Sequence, residues 1–498
     1  MYIIAGNYEL ISYFIIRYKM ADITSSFPTS LSYRIKQLVG DMSRVGVKMT
    51  ADRTTGISPN DIITIKLPNS SLVDLRTFNL FYQFTTTGTT GTFLHPRYSS
   101  SIIERISVII NGNTIDILPG YNYLYNILMD LEGSSFDQFS KRNVCEFFDP
   151  SLRFSSTAPT SSADVAITGT NCLATGSTAP SKVDGAITHW LGFLGSTQPQ
   201  ILDLSDLGDV FLQFQISNPY ILPSTINATA QTLAGGSFTL DNVYATCDVI
   251  NFASDEYYAL KAAKLTSSGL NVGFYSYLNA SFASITKSSG INVNWNVSAN
   301  SLDQIICTMR KTDQSSTWKP MVVYASNDAG SAVYNMSQIV ADPIGKVNNT
   351  GSIRSEVLGD GFMNSYYFLR NAQAIKESRI SINNRSLNYG YLSPKEIFIE
   401  TMKALGYNHI DLGTNGLNAC IFSLVHFCKY YFAHIEDLTI QDTKDFWISG
   451  LNTIGSTATI TWEANFDGSS NSQTAIPVMY ARLSKILNIQ PGRNISVI

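Results

Sequence analysis

Charge is what this chain has least of. Lys, Arg, Asp and Glu together make up 14% of its 498 residues, against about a quarter in an ordinary soluble protein. Lys and Glu are scarce, and Ser, Thr, Asn and Gly fill the gap. Tyr and Phe, 26 of each, are abundant. This is not the profile of a helical enzyme. It fits a β-rich protein with long polar loops and much surface committed to neighbours. A formal net charge of −4 gives no global field that would draw nucleic acid.

Cysteine is scarce as well. Cys145, Cys172, Cys247, Cys307, Cys420 and Cys428 are scattered, with no C-x-x-C pair and no His at metal spacing from a Cys. They read as reduced, mostly buried thiols made in a reducing compartment. The histidines are His95, His189, His409, His426 and His434. His426 and His434 bracket an aromatic run and read as packed, hydrogen-bonded side chains rather than ligands. Asp437, Asp442 and Asp445 are close in sequence, but with Gly450, Asn452 and Gly455 nearby they read as surface turn. Asp467-Gly468 reads as a hairpin turn. The phosphate-binding G-x-x-x-x-G-K-[ST], the G-x-S-x-G elbow and H-E-x-x-H are all missing. No catalytic, cofactor-binding or metal-ligating residue is therefore assigned, and no small-molecule substrate; the expectation is a protein that is not an enzyme. Basic stretches interleaved with aromatics, which would read as nucleic-acid motifs, are missing too.

No stretch reads as transmembrane. Residues 10–16 are apolar but too short to cross a bilayer, and they lack a basic start and a small-residue cleavage site. Met20-Ala21-Asp22 reads as the more natural start, with residues 1–19 an over-extended gene model. Residues 28–45 predict a helix, capped by Thr29 or Ser30, with Leu31, Ile35, Leu38 and Met42 along one side. Its other side is basic and reads as a solvated face. Charge is uneven beyond it: from 155 to 260 the one base is Lys182, against a series of Asp residues.

What the chain does have is one passage written nearly twice. Ile106, Val108 and Ile110 alternate, Asn111-Gly112 follows, then Ile115 and an amphipathic helix through Leu124, Ile127, Leu128 and Leu131. Ile380 and Ile382 alternate, Asn383-Asn384 follows, then Leu387 and a helix through Phe398, Met402 and Leu405. Asn-Gly is the strongest two-residue hairpin signal, because a type I′ turn needs positive φ at both positions, and Asn-Asn can do the same at some cost. Ile110 answers to Ile382, Asn111 to Asn383, Ile115 to Leu387, Leu124 to Phe398 and Leu131 to Leu405. One copy in each half predicts two versions of a domain in tandem.

Around these copies the pattern is one of strands. Residues 61–67, Phe78 to Phe84, 210–216, 243–249, 291–295, 304–307 and 458–466 alternate. Residues 85–92 read as a polar connection. Residues 155–187 and 327–352 read as long polar loops with too little apolar area for a core. Residues 254–264 predict a short helix that bridges the halves, with acids in its first turn and Lys264 at its end. Many short strands and few helices predict an all-β sandwich built twice.

This arrangement resembles the double jelly-roll major capsid proteins of icosahedral double-stranded DNA viruses. Residues 57–68 resemble that family's early strand, with Asp61 before an alternating strand ending in Leu67-Pro68. The Ile-Asn-Gly segment and the helix after it, and residues 202–210 running into a strand, are similar to its later landmarks. In length and in the Tyr-Asn-x-Leu-Tyr helix the chain looks most like proteins of virophages and polinton-like viruses. The resemblance implies two tandem eight-stranded antiparallel jelly rolls: an arm over 1–52, a first jelly roll with linker helix over 53–264, and a second over 265–498. It implies pseudo-hexagonal homotrimers that pack with neighbouring capsomers into an icosahedral virion shell. It further implies penton and minor capsid proteins as partners, an internal membrane or genome beneath the arm, and synthesis in the host cytoplasm or a viral factory. The alternative is a secreted or surface β-sandwich adhesin or carbohydrate-binding protein, for which low charge and aromatics are equally suitable.

Overall fold

The computed structural model describes residues 42–69, 71–87, 92–93, 95–96, 98–132, 182–222, 224–227, 235–252, 255–267, 269–316, 322–324, 365–406, 424, 427–428, 431–440, 450–455, 458–467 and 473–498. The first half contributes eight principal strands: β1 (Met42–Thr50), β2 (Ile62–Lys66), β3 (Leu72–Thr87), β4 (Ile103–Ile110), β5 (Asn113–Pro119), β6 (Lys182–Ile187), β7 (Val210–Ile216) and β8 (Ser237–Phe252). The second half contributes β9 (Leu270–Ser281), β10 (Ile291–Val297), β11 (Leu302–Lys311), β12 (Ile375–Ile382), β13 (Arg385–Ser386), β14 (His434–Asp437), β15 (Ala458–Phe466) and β16 (Thr474–Gln490). Three helices matter: α1 (Tyr121–Glu132), α2 (Asp255–Ser267) and α3 (Pro394–Ala404).

The sheets of the first half run β1-β8-β3-β6 and β2-β7-β4-β5; those of the second run β9-β16-β11-β14 and β10-β15-β12-β13. Adding eight to each label converts one pair of sheets into the other. Every pairing along these paths is antiparallel. Two four-stranded sheets in this order make an eight-stranded jelly roll, so the chain is two jelly rolls in tandem. Period-two burial shows why these segments are strands: Val210, Leu212, Phe214 and Ile216 of β7 point inward, as do Ala458, Ile460, Trp462 and Ala464 of β15. β11 departs from alternation. All of residues 302–309 are buried: Gln304 donates to the Ala404 carbonyl at the end of α3, and Tyr123 of the first half reaches the Met309 carbonyl near the end of β11.

The repeated passage lands at the same place in both halves. Asn111 and Gly112 have φ of 49° and 79°, and Asn383 and Asn384 have 50° and 63°, so both β4–β5 and β12–β13 turn with positive φ twice. The asparagines also extend the ladder to the neighbouring strand. Asn111 N–H donates to the Asp209 carbonyl (3.0 Å), and its Oδ1 accepts from Asp209 N–H (3.3 Å). Asn383 N–H donates to the Thr459 carbonyl, and its Oδ1 accepts from Thr459 N–H, both at 2.9 Å. An Asn is suited to the site twice over: it tolerates the left-handed conformation and its side chain mimics a backbone acceptor.

Several expectations shift. The N-terminal helix read over 28–45 falls mostly outside the described residues, but from Met42 the chain is already β1, paired with β8 from Met42↔Phe252 to Thr50↔Tyr244. Cross-strand packing against a long central strand overrides a helical spacing at those few positions. The polar connection at 85–92 begins later, because β3 runs on to Thr87. The last six residues of the 155–187 loop are β6; the rest of it, and 327–352, lie outside the described residues. The bridging helix extends to Ser267, and Lys261 ties it to the body through Asp203 (2.5 Å) and Asp206 (2.6 Å).

Replacing Asn383 with alanine removes the acceptor for Thr459 N–H and puts an ordinary residue at positive φ. Stability should fall by about 1–2 kcal/mol, with the m-value unchanged in urea titration; no change in midpoint would contradict this account of the turn.

Candidate functional site

The most heavily constructed place in the molecule is the seam between the two jelly rolls, and α1 lies at its centre. Residues 121–131 are all buried, although the helix carries Asn122, Asn126, Asp130 and three tyrosines. A surface helix buries one stripe; a helix buried all round needs a polar partner for every polar side chain. Asn122 Nδ2 donates to Glu104 Oε2 (2.7 Å) and to Ser217 Oγ (3.0 Å). Asn126 Nδ2 donates to Ser101 Oγ (2.9 Å). Asp130 accepts from Tyr98 OH at 3.0 Å and from Arg370 Nη1 at 3.1 Å. The helix is entered through Gly120 at φ +62°, where a Cβ would stand 2.8 Å from Tyr480 Oη. Tyr480 OH donates to the Gly120 carbonyl from the second jelly roll (3.1 Å).

Three charged meetings cross the seam. Asp130 and Arg370 are both at 0% side-chain exposure. Glu104 faces Arg310, whose guanidinium lies 5.7 Å from the Tyr123 ring centroid. Asp116 accepts from Ser276 Oγ at 2.5 Å and lies 3.6 Å from Lys485 Nζ. Burial raises Glu104 and Asp116 above the usual carboxylate range, and their hydrogen bonds and facing cations pull them only part of the way back. Burial likewise pushes Tyr123 up to about 12 and raises Tyr367 and Tyr480. The seam is therefore largely buried, and each of these carboxylates faces a cation from the second jelly roll. Backbone bonds reinforce it. Gln198 and Gly273 exchange both N–H···O bonds, and Ser196 Oγ accepts from Tyr275 N–H at 2.8 Å. Phe193 meets Phe274 edge-on, with ring centroids 5.2 Å apart.

One constellation elsewhere has the outline of catalytic machinery. Ser378 Oγ lies 2.9 Å from His434 Nδ1, and His434 Nε2 lies 2.9 Å from Glu436 Oε1. Ser378 and His434 are at 0% exposure in the core of the second jelly roll, and Trp462 Nε1 donates to the serine oxygen at 2.9 Å. A hydroxyl that substrate cannot reach and that is already an acceptor for indole is a structural link, not a nucleophile. The sequence places Ser378 fifty-six residues from His434, and only the pairing of β12 and β14 with the core brings them together.

The other residues weighed from sequence fall where a structural role requires. His95 is buried, its Nε2 2.8 Å from Tyr82 OH and its Nδ1 2.6 Å from the Pro96 carbonyl. His189 is exposed and meets the Tyr125 ring edge-on. Asp437 closes a turn by accepting from Thr439 N–H and Oγ1. Asp467 N–H donates to the Ala374 carbonyl. Cys247 and Cys307 are buried and Cys428 half-buried; burial pushes Cys247 and Cys428 up to about 11 and raises Cys307 well above the usual thiol value. His409, His426, Asp442, Asp445, Gly468, Cys145, Cys172 and Cys420 lie outside the described residues. Among the described residues, no group of three or more His, Cys, Asp or Glu could hold a metal ion, and no helix is long and apolar enough to cross a membrane. Sequence reading missed the seam's charges: Glu104, Arg310 and Arg370 belong to no motif, and only the all-round mixture of Asn, Asp and Tyr on α1 signals that a second surface covers it.

No protein-family model and no curated protein matches the chain. Solved structures do. A chain of the PBCV-1 virus capsid is similar at a TM-score of 0.50 and 12% identity, over 92% of this chain and 96% of that one. The Faustovirus major capsid protein is similar at 0.51 and 12%, over 90% and 91%. A chain of the Sputnik virophage structure is similar at 0.52 and 9%, over 92% and 88%. At such identities the likeness is one of fold, and the fold is the double jelly roll of viral major capsid proteins.

Replacing Arg370 with methionine takes from the buried Asp130 the guanidinium that faces it, and should lower stability by about 3–5 kcal/mol. The same change at Arg379, whose pair with Glu463 is partly exposed, should cost no more than about 1 kcal/mol; equal losses in chemical denaturation would contradict the importance given to the seam. Glu104→Gln tests burial through pH. Because Glu104 is raised in the fold, the unfolded chain ionises first, and the stability this group contributes is lost as pH rises through its folded value. The wild type should gain on Glu104→Gln as pH falls from 7 towards 4.5, read as the difference in urea midpoints; a difference that grows with rising pH would reverse the sign and refute it.

Proposed function

We propose that this chain is the major capsid protein of an icosahedral virus, a structural and non-catalytic component of the virion. The observation that carries the reading is the union of two equivalent jelly rolls by a buried, charge-matched seam. Such a chain behaves as one rigid unit with two like sides, and three of them close a ring of six sandwiches into a pseudo-hexagonal tile. Repeated heterologous contacts form closed rings when the rotation permits. Thin surface charge and abundant tyrosine suit a surface largely spent on permanent contacts, and the likeness of fold to capsid proteins points the same way.

The domain scheme follows: residues 1–52 as an arm that delivers its last strand, β1, to the first sandwich, 53–264 as the first jelly roll with its linker helix, and 265–498 as the second. The partners are further copies of the chain within and between tiles, penton and minor capsid proteins where the lattice closes, and a membrane or genome reached by the arm on the inner side. Synthesis takes place in the host cytoplasm or a viral factory. No observation favours the adhesin alternative.

Light scattering after size exclusion, with negative-stain images of the same peak, tests this. The expected outcome is a compact particle of about three chain masses with a hexagonal outline. A chain that remains monomeric at all concentrations and binds a glycan would overturn the reading.

A further inference from the structure

Among the differences between the two copies of the repeated passage, one lies on the seam. In the register that sets Ile110 against Ile382 and Ile115 against Leu387, Asp116 answers to Asn388. The second hairpin stays in step as far as Leu387, whose N–H donates to the Ile380 carbonyl at 3.1 Å. The first does not. Val108 pairs with Asp116 and Ile109 with Thr114, so Ile115 is a one-residue bulge. A bulge re-aims the side chains beside it. Here Ile115 and Asp116, successive in β5, are both buried, and Asp116 faces β9 and β16 of the second jelly roll.

What meets Asp116 there is a poor match for a charge. Ser276 of β9 donates to Oδ1, and Lys485 of β16 stands 3.6 Å from the same oxygen, too far for a direct hydrogen bond. Oδ2 is buried and has no hydrogen-bond partner among the described residues. Lys485 is itself 24% exposed, so it is shared between Asp116 and water. An ionised carboxyl that is 2% exposed, with one oxygen unanswered, costs more than a neutral one in the same place. The second half puts a neutral side chain at the corresponding position. Asn388 is half-buried, and its Nδ2 donates to Glu436 Oε1 at 2.5 Å.

We infer that Asp116 is a proton-operated latch on the seam: it takes up a proton as the medium turns acidic, and the two jelly rolls then hold together more firmly. The proton goes to Oδ2, the buried charge disappears, and Oδ1 still accepts from Ser276. The direction follows from linkage. An unfolded Asp titrates near ~4, and burial places the folded one higher, with Lys485 and Ser276 drawing it only part of the way back. The stability that Asp116 contributes is therefore full below the unfolded value and is lost as pH rises through the folded value. The latch does not depend on the capsid reading. On that reading, its consequence is a building unit that is firmest in acid and yields towards neutral pH.

The test is Asp116→Asn in the full chain, its urea midpoint compared with that of the wild type from pH 4 to pH 8. The expected result is that the wild-type folding constant, relative to the variant, falls by about tenfold or more across this range. Lys485→Met removes the facing cation and should deepen the fall: this variant loses ground to the wild type as pH rises. A gap between wild type and Asp116→Asn that is the same at every pH, or that moves in the wild type's favour as pH rises, would overturn the latch. Should Asp116→Asn not fold, Lys485→Met decides alone, and a gap to the wild type that is flat with pH would overturn the latch. Either failure leaves the oligomeric state, and with it the capsid reading, untouched.

Discussion

A helix that is polar on several sides cannot be left against an apolar wall, and this constraint on α1 organises the molecule. Asn122, Asn126 and Asp130 each carry groups whose burial without a partner costs about 1–3 kcal/mol. The first jelly roll satisfies part of the need through Ser101, Ser217, Glu104 and Tyr98. From the second, Arg370 faces Asp130, and Tyr480 holds the start of the helix at the Gly120 carbonyl. The two sandwiches are thereby fixed in one mutual arrangement. Apolar contact alone would hold them together with less insistence on register, since hydrophobic attraction is not directional. Buried charges that must meet across the seam specify where each half sits on the other, even where they add little net stability.

The same physics explains the asymmetry between the halves. β11 lost its alternation because it has neighbours on both faces, and α1 lost its exposed stripe for the same reason. α3 keeps the amphipathic design, with a capping box of Ser393 and Glu396 at its start and a Glu400–Lys403 pair on its outside. A helix built into a permanent interior cannot retain charged residues unless each has its own counter-group in the chain.

Much of the fold was legible in the chain. Alternation in β3, β7 and β15, the two positive-φ turns and the helices after them can all be read from local pattern, because each is governed by neighbours a few residues away. The duplication was legible for the same reason. What local pattern could not reveal was pairing at a distance. Met42 satisfies a helical spacing and yet lies in a strand, since its partner Phe252 is on β8. The serine, histidine and glutamate of the second core, and the charged pairs of the seam, are likewise products of topology. The family resemblance in short motifs indicated the architecture, but the residues that hold the halves together lie between those motifs.

The order of the strands along the chain also sets the order in which the molecule can be completed. β8 is the last strand of the first half and lies between β1 and β3, so during synthesis the first sandwich closes only when β8 emerges, with α2 directly behind it. The outer side of α1 is then still bare. Its covering needs Arg370 and Tyr480, and Tyr480 belongs to β16, the last principal strand to be made. Non-local pairing of this kind is intrinsically slow, and exposed surface in a half-finished chain is where wrong partners attach. The nascent protein thus carries an open, tyrosine-rich helix for the whole time the second half is being translated. In a cell making many copies at once, the correct second half must reach that helix before another chain does.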